Sequence, residues 1–553
     1  MQTDQQTSVQ QSRLASALVG LALMLVMVSA SAAPAPPPNP FAEYEKAGMR
    51  FGEIRIQRDP IFDTSQPKEN KRLYRAANRI HILTRESVLR GQLLIASGEL
   101  VDAQAVEETE RVLRRNNYIY DVTITPTKVA EGVVDVLIVT RDNWTLFPQI
   151  GFSQQGGQTE YALGLRESNL FGTGASLGFR IEDDGDRESS LLQYNNRNVR
   201  GTWWRFEVGY RDSDDGDGQR LRIIRPFFSL DTKYSAGLDA TAVVQEEPLF
   251  SFGDEIAEYQ RDQLSVNLWY GWSKGLQEGW TRRWQLGFRI DDNRFEEVVE
   301  PLRLLVRPDD RDLRYPYVRY EAIENRFKTV TNVSRIAVTE DLFLGTRYSA
   351  ALGWFGASTG ADRDGAVFDL DYLTTRGDPE RWLWRWRAMS CGRIETGELK
   401  NGRFTLESEF VRRQSPTRQW AIKLESTVAH EPDLDQPVLL GGLTGLRGYD
   451  RAFGNGDARA LLTLEQRGIT DWYPFRLFRV GGAAFVDVGR VWGNDVAGLS
   501  TDKLLTNVGV GLRLMSTRAS SNRMLHIDFA WPTTRDVTID SGLQVSIQGK
   551  RGF

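Results

Sequence analysis

The sequence predicts an all-β transmembrane β-barrel preceded by a small α+β domain, and three observations carry that expectation. From about Trp144 onward, segments of about ten residues alternate apolar and polar positions between Gly-, Asp-, Asn- and Ser-rich turns. The chain has 553 residues, yet its mean hydropathy is −0.41 and its only long apolar run is at the start, which excludes a helical membrane protein. Fifteen Trp and an aromatic content of 10% suit the girdles that flank the lipid belt of a membrane barrel.

The elements follow in order. Residues 1–32 read as a secretory signal: a polar lead ending at Arg13, an apolar stretch from Leu14 to Val28, and the small residues Ala30-Ser31-Ala32 before a cleavage point. Residues 33–48 read as a linker that opens with five prolines in eight residues and is therefore stiff and extended. Residues 49–142 read as one periplasmic domain of order β-α-α-β-β. Phe51, Ile54 and Ile56 mark its first strand, and the stretch from Lys71 to Arg79 has helical character. Thr84 is the expected N-cap of a helix carrying Val88, Leu89, Leu93 and Leu94, and Asp102 that of a helix carrying Val106, Val112 and Leu113. Tyr118, Tyr120, Val122 and Ile124 alternate as a strand, Gly132 turns the chain, and Val134, Val136 and Ile138 form the partner strand.

Residues 143–553 read as the barrel. In Arg381–Arg387 three Trp face one way and three Arg the other, a pattern that lipid outside and water inside satisfies on both faces. Trp284, Leu286, Phe288 and Ile290 against Arg283, Gln285 and Arg289 repeat it, as do Val508, Val510, Leu512 and Leu514 against Asn507 and Arg513. Near the C-terminus, Val480, Ala484, Val486 and Val488 occupy even positions of one strand, while Arg479, Phe485 and Asp487 occupy odd ones. Asp487 therefore points to the lumen. Forty residues earlier a glycine-rich loop carries Leu446-Arg447-Gly448-Tyr449, and a loop folded inward could set Arg447 on Asp487 as a charge-assisted, bidentate pair.

This pair of motifs, Arg447-Gly448-Tyr449 followed by Phe485-x-Asp487-x-Gly489, resembles the BamA/TamA superfamily of outer-membrane assembly proteins (the bacterial surface antigen family) and the related two-partner secretion transporters. The order of the first domain resembles a polypeptide-transport-associated (POTRA) domain of the same superfamily, of which this chain has room for one. The resemblance implies sixteen antiparallel strands, although the alternation suggests about twenty stretches. It assigns the excess to protruding strands or loop hairpins, notably between Glu300 and Asp341. It also implies a C-terminal insertion signal, here Leu543, Val545, Ile547 and Phe553. The implied function is insertion or translocation of polypeptides at the bacterial outer membrane, with the first domain in the periplasm. The implied partners are unfolded outer-membrane or secreted polypeptides, outer-membrane lipids including lipopolysaccharide, and periplasmic accessory proteins. A two-partner-type secretion transporter, or a passive pore or surface antigen without transport activity, stands as the alternative.

No enzymatic role, cofactor or metal is expected. Gly174-Ala175-Ser176-Leu177-Gly178 has the spacing of a hydrolase elbow but continues as an alternating strand rather than a helix. His81, His430 and His526 lack metal-ligand spacing, and His526, Asp528 and Ser546 read as a lumenal polar cluster before a catalytic one. The acidic run Asp212–Gly218 has Ile223, not Glu, at the twelfth position of a calcium loop. A formal charge of −5 without a basic stripe gives no support to nucleic-acid binding, and one cysteine, Cys391, excludes an intrachain disulfide framework.

Overall fold

The computed structural model describes residues 39–155, 158–298, 306–493, 498–499, 503–519, 523–534, 542–550 and 552–553. The expected signal segment and residues 33–38 of the linker lie outside the described residues.

Strands Arg50–Asp59 (β1), Ile119–Ala130 (β2) and Val133–Asp142 (β3) form a sheet of order β1-β3-β2, with β1 parallel to β3 and β2 antiparallel to it. A parallel pair needs a crossover. Here it holds Arg72–Ile80 (α2), Glu86–Arg90 (α3) and Ala103–Arg114 (α4), after a short helix Ala42–Lys46 (α1) that precedes β1. The alternating Val134, Val136 and Ile138 of β3 meet Leu89, Val106 and Leu113 in one buried core. Asp102 caps α4 as expected, accepting from the Ala105 N–H at 3.0 Å. Thr84 does not cap α3: its hydroxyl and N–H both donate to Asp142 at the end of β3, and the helix stops at Arg90. The outer edge of β2 is occupied at Ile124, whose N–H donates to the Glu110 carboxylate of α4 at 2.8 Å.

Among the described residues twenty antiparallel strands, from Leu146–Gln155 to Gln544–Lys550, close into a barrel. The expectation of sixteen is thereby corrected. The alternation, which suggested about twenty stretches, gave the better number, because each stretch able to lie between lipid and water found two neighbours in the ring; sixteen came from the resemblance alone. A hairpin does lie in the suspected region, Phe327–Thr331 paired with Thr339–Phe343, and it stands outside the barrel sheet. No helix among the described residues is long and apolar enough to cross a membrane. The strands supply that surface instead. Leu268 lies opposite Phe288, Tyr270 opposite Leu286 and Trp272 opposite Trp284, and all six are exposed on the outer face. In the strand after Glu380, Arg385 and Arg387 turn inward to Glu409 and Asp371, while Trp384 and Trp386 pack against each other outside.

The α+β domain covers one mouth of the barrel. Glu69 pairs with Arg518 at 2.7 Å and Arg476 at 3.4 Å, and Arg114 pairs with Asp341 at 3.1 Å. Glu108 accepts from the Leu230 N–H, and Gly91 from the Asn198 amide. Arg518, Arg476, Leu230 and Asn198 sit on separate turns of the rim and Asp341 on the short hairpin, so the domain bridges the mouth rather than hanging from one strand. Just inside it, Val330, Val333, Leu342 and Leu344 of the short hairpin pack on Leu383, Val411 and Ala421 of the wall.

The last strand meets the first at the seam. Among the described residues one registered pair, Val545 with Gln154, joins them. The preceding junction, between Met524–Pro532 and Gln544–Lys550, is registered from Met524↔Lys550 to Ala530↔Gln544.

Candidate functional site

The long connection between strands Arg418–His430 and Ala458–Ile469 folds into the lumen, because its own chemistry fits the wall better than water. Val438–Leu440 pairs with Gly454–Gly456, which brings the loop back on itself. Leu440, Leu446, Tyr449 and Phe453 then bury against Leu461, Val491 and Leu505 of the barrel.

Arg447 is at the centre. Its Nε donates to Asp487 Oδ2 at 2.9 Å and its Nη2 to Asp487 Oδ1 at 2.8 Å, a bidentate fork. Nη1 reaches Glu465 at 3.2 Å, and Asp528 lies at 3.7 Å. The guanidinium stacks 3.2 Å from the centre of the Phe485 ring. Asp487 is fully buried and also accepts from Thr463 and Asn507, each at 2.9 Å. Burial disfavours the charge on Arg447, but the hydrogen bonds and charge of Asp487, with Glu465 and Asp528, outweigh it and raise its pKa. Tyr449 exchanges bonds with the backbone of Thr506, accepting from its N–H at 3.0 Å and donating to its carbonyl at 2.9 Å.

Two glycines are fixed by close approach. A Cβ on Gly448 would sit 2.6 Å from the Asn507 Cβ, closer than real carbons come. A Cβ on Gly489 would meet Leu440 and Leu446 of the loop at 3.1 and 3.3 Å. The structure thus brings Arg447, Gly448, Tyr449, Phe485, Asp487 and Gly489 together in one contact.

A second anchor, of opposite polarity, is not marked by any sequence motif. Asp433 takes two bonds from Arg393, at 2.6 and 2.9 Å, and Asp435 one from Arg311 at 2.7 Å, with its side chain wholly buried. Burial works against the Asp433 carboxylate, but the Arg393 bonds and the charges of Arg311 and Arg393 outweigh it and lower its pKa. Leu434 between them packs on the cluster of Leu249, Ala257, Tyr259 and Phe295. The loop is therefore pinned by a cation on one wall and by two anions on another. Beside the second anchor lies a lumenal cavity of about 740 Å³ lined by Arg261, Arg289, Arg319, Asp369, Tyr315 and Tyr317 among others.

The remaining candidates fall elsewhere. Leu543 is exposed, and Val545 and Ile547 are half-buried on the same face. Phe553 is drawn away from them to the lumen side: its N–H donates to the Ser334 carbonyl at 2.9 Å, its carbonyl accepts from Lys423, and Arg467 lies 5.3 Å from its ring centre. His526 Nε2 faces the Gly552 carbonyl at 2.7 Å, and Asp528 is engaged by Arg513 at 2.6 Å, so no His–Asp hydrogen bond forms there. Ser176 lies in strand Ala175–Asp183. Asp214 and Asp215 accept from the Glu188 and Glu246 N–H groups across the hairpin tip.

No family model and no curated protein sequence matches the chain. Among solved structures, BamA from Haemophilus ducreyi lacking POTRA domains 1–3 aligns at 14% identity and a TM-score of 0.40, covering 90% of this chain and 84% of that one. CdiB from Acinetobacter baumannii aligns at 12% identity and 0.43, covering 90% and 73%, and CdiB from Escherichia coli at 13% and 0.45, covering 90% and 75%.

Proposed function

We propose that the chain is an outer-membrane protein that inserts or translocates unfolded polypeptides without catalysing a covalent reaction, its α+β domain acting as a periplasmic POTRA-like module. The observation that carries this reading is the lumenal loop locked through Arg447 on Asp487. A loop held by buried ion pairs at two walls stiffens the barrel around the lumen. The seam, registered at Val545 and Gln154, is the junction along which such a barrel can part. An unpaired strand edge offers N–H and C=O groups in a row, so it accepts an incoming strand with little regard to sequence. Clients would first meet the domain on the part of β2 beyond Ile124, because Glu110 occupies the edge at that residue. The lipids around the barrel, lipopolysaccharide included, and periplasmic accessory proteins are further partners in this reading.

Depletion in the native bacterium tests the proposal. Loss of several other barrels from the outer membrane is the expected outcome; loss of a single secreted protein instead assigns the chain to two-partner-type secretion. Unchanged clients with altered permeability would make it a passive pore and end the proposal. The seam is tested by Gln154→Cys with Val545→Cys in a Cys391→Ser background. Oxidation should stop client insertion and reductant should restore it, whereas full activity of the crosslinked protein removes the seam from the mechanism.

A further inference from the structure

The outward face of α2, at the rim near the seam, is exposed. Successive residues of a helix are rotated by roughly 100°, so Arg72–Ile80 divides into three faces. Tyr74, Ala77 and Asn78 face the protein: Tyr74 and Ala77 share a cluster with Phe62, and Asn78 bonds the Phe62 backbone. Leu73 and Ile80 lie together on a second face, 68% and 70% exposed, and Ile82 just beyond is 53% exposed. Arg72, Arg75 and Arg79 form the third and are exposed; Arg75 donates to the Asn70 carbonyl at 3.1 Å and to its side-chain oxygen at 2.6 Å, and no carboxylate pairs with any of the three among the described residues.

Two contacts fix where this helix sits. The Tyr74 hydroxyl donates to the Phe475 carbonyl at 2.8 Å, and the N–H of Arg85, at the start of α3, donates to the Gly172 carbonyl at 2.9 Å. Phe475 and Gly172 belong to rim turns on the two sides of the seam. Those turns expose large aromatics of their own: Phe475 at 76%, Trp472 at 64% and Phe171 at 63%. Aromatic side chains at the edge of a lipid-facing surface mark the headgroup level, so the apolar stripe of α2 continues that level around the rim.

We propose that α2 is an in-plane membrane helix, its Leu73–Ile80–Ile82 stripe set among the acyl chains and its Arg72, Arg75 and Arg79 among anionic phospholipid headgroups, beneath the seam. An apolar stripe flanked by arginines that no carboxylate neutralises is the arrangement that lies in an anionic interface, and water alone gives it no stabilisation. The inference rests on the transmembrane reading of the barrel and adds to the proposed function a lipid contact where the barrel would part. A helix so placed can thin or tilt the leaflet at the point where a client leaves.

The test uses the full chain with Cys391→Ser and one new cysteine carrying an environment-sensitive fluorophore, at Leu73→Cys or Ile80→Cys, with Leu268→Cys as the barrel-belt reference and Lys128→Cys as the aqueous one. Proteins are reconstituted in vesicles of phosphatidylcholine with phosphatidylglycerol and of phosphatidylcholine alone, each with lipids spin-labelled near the headgroup. Labels at positions 73 and 80 should emit to the blue of the Lys128→Cys label and be quenched, more strongly with phosphatidylglycerol. Arg72→Glu with Arg79→Glu should abolish that difference. Emission matching the Lys128→Cys label while the Leu268→Cys label is quenched overturns the proposal and leaves a second copy or another protein to cover the face, with the barrel reading intact. Failure at Leu268→Cys as well overturns the barrel reading itself. Quenching indifferent to phosphatidylglycerol and to charge reversal overturns the headgroup assignment.

Discussion

Arg447 uses both edges of its guanidinium and its flat face at once, on Asp487, Glu465 and Phe485, so its contribution cannot be replaced by charge alone. Removing one partner of a buried pair costs about 3–5 kcal/mol, against about 0–1 for an exposed pair. Arg447→Ala should therefore leave a membrane-inserted barrel whose loop is cut faster by external protease and whose client insertion falls. Arg447→Lys should resemble Ala more than wild type, because a point charge cannot form the fork. Wild-type loop protection in Arg447→Ala would show that the apolar contacts of Leu446 and Tyr449 hold the loop unaided. Parity is tested two residues away: Val486 is exposed on the outer face, so Val486→Arg should destabilise the barrel by roughly 2–4 kcal/mol if it lies near the bilayer midplane. Phe485 faces inward beneath Arg447, so Phe485→Leu should spare barrel heat stability in gels and loosen the loop instead.

Within the loop, opposite polarity at the two anchors makes register unambiguous, since neither can bind at the other's wall. Asp433→Asn with Asp435→Asn should free the first half of the loop while Tyr449 stays docked, a split that site-specific spin labels at the two ends would read. Helix α4 supplies a pH effect. Burial raises the pKa of Glu108 and of Glu110, partly offset by their backbone N–H partners and nearby arginines. A carboxyl whose folded pKa is raised binds its proton more readily in the folded domain. Its contribution is present in full below the ordinary carboxylate pKa and is lost as pH rises through the raised value. Amide protection across residues 103–125 of the full chain, taken relative to the intrinsic exchange rate at each pH, should be higher at mildly acidic pH than at neutral pH, and Glu108→Gln with Glu110→Gln should flatten the dependence. An unchanged slope in that variant would place its origin elsewhere.

For the whole molecule the consequence is a barrel closed from both sides: the α+β domain and the hairpin Phe327–Thr331/Thr339–Phe343 at one mouth, the anchored loop further in. Resting conductance in planar bilayers should be low. Glu69→Ala with Arg114→Ala removes the ion pairs that bridge the rim and should raise it, whereas equal conductance would mean the hairpin alone seals that mouth. The proposed membrane helix belongs to this scale too, since α2 meets the Phe475 turn and the chain just before α3 meets the Gly172 turn on the other side of the seam.

Alternation of side chains with a period of two, repeated along the second part of the chain, was enough to fix a barrel, and it placed Asp487 inside and Val486 outside without any coordinates. The expectation that Arg447 meets Asp487 came from parity together with the resemblance of the two motifs to the superfamily. The alternation also suggested about twenty strands, as the barrel has; the expectation of sixteen came from the family resemblance and not from these residues. The second anchor was not legible: Arg311 and Asp435 are 124 residues apart, and each alone reads as an ordinary solvated charge. Thr84 has the chemistry of a cap but found Asp142 first, and Phe553 turned inward to Ser334. Local pattern governs which face a residue shows, since that follows from backbone geometry; only the folded chain decides what stands opposite, because such contacts join segments whose separation in sequence carries no signal.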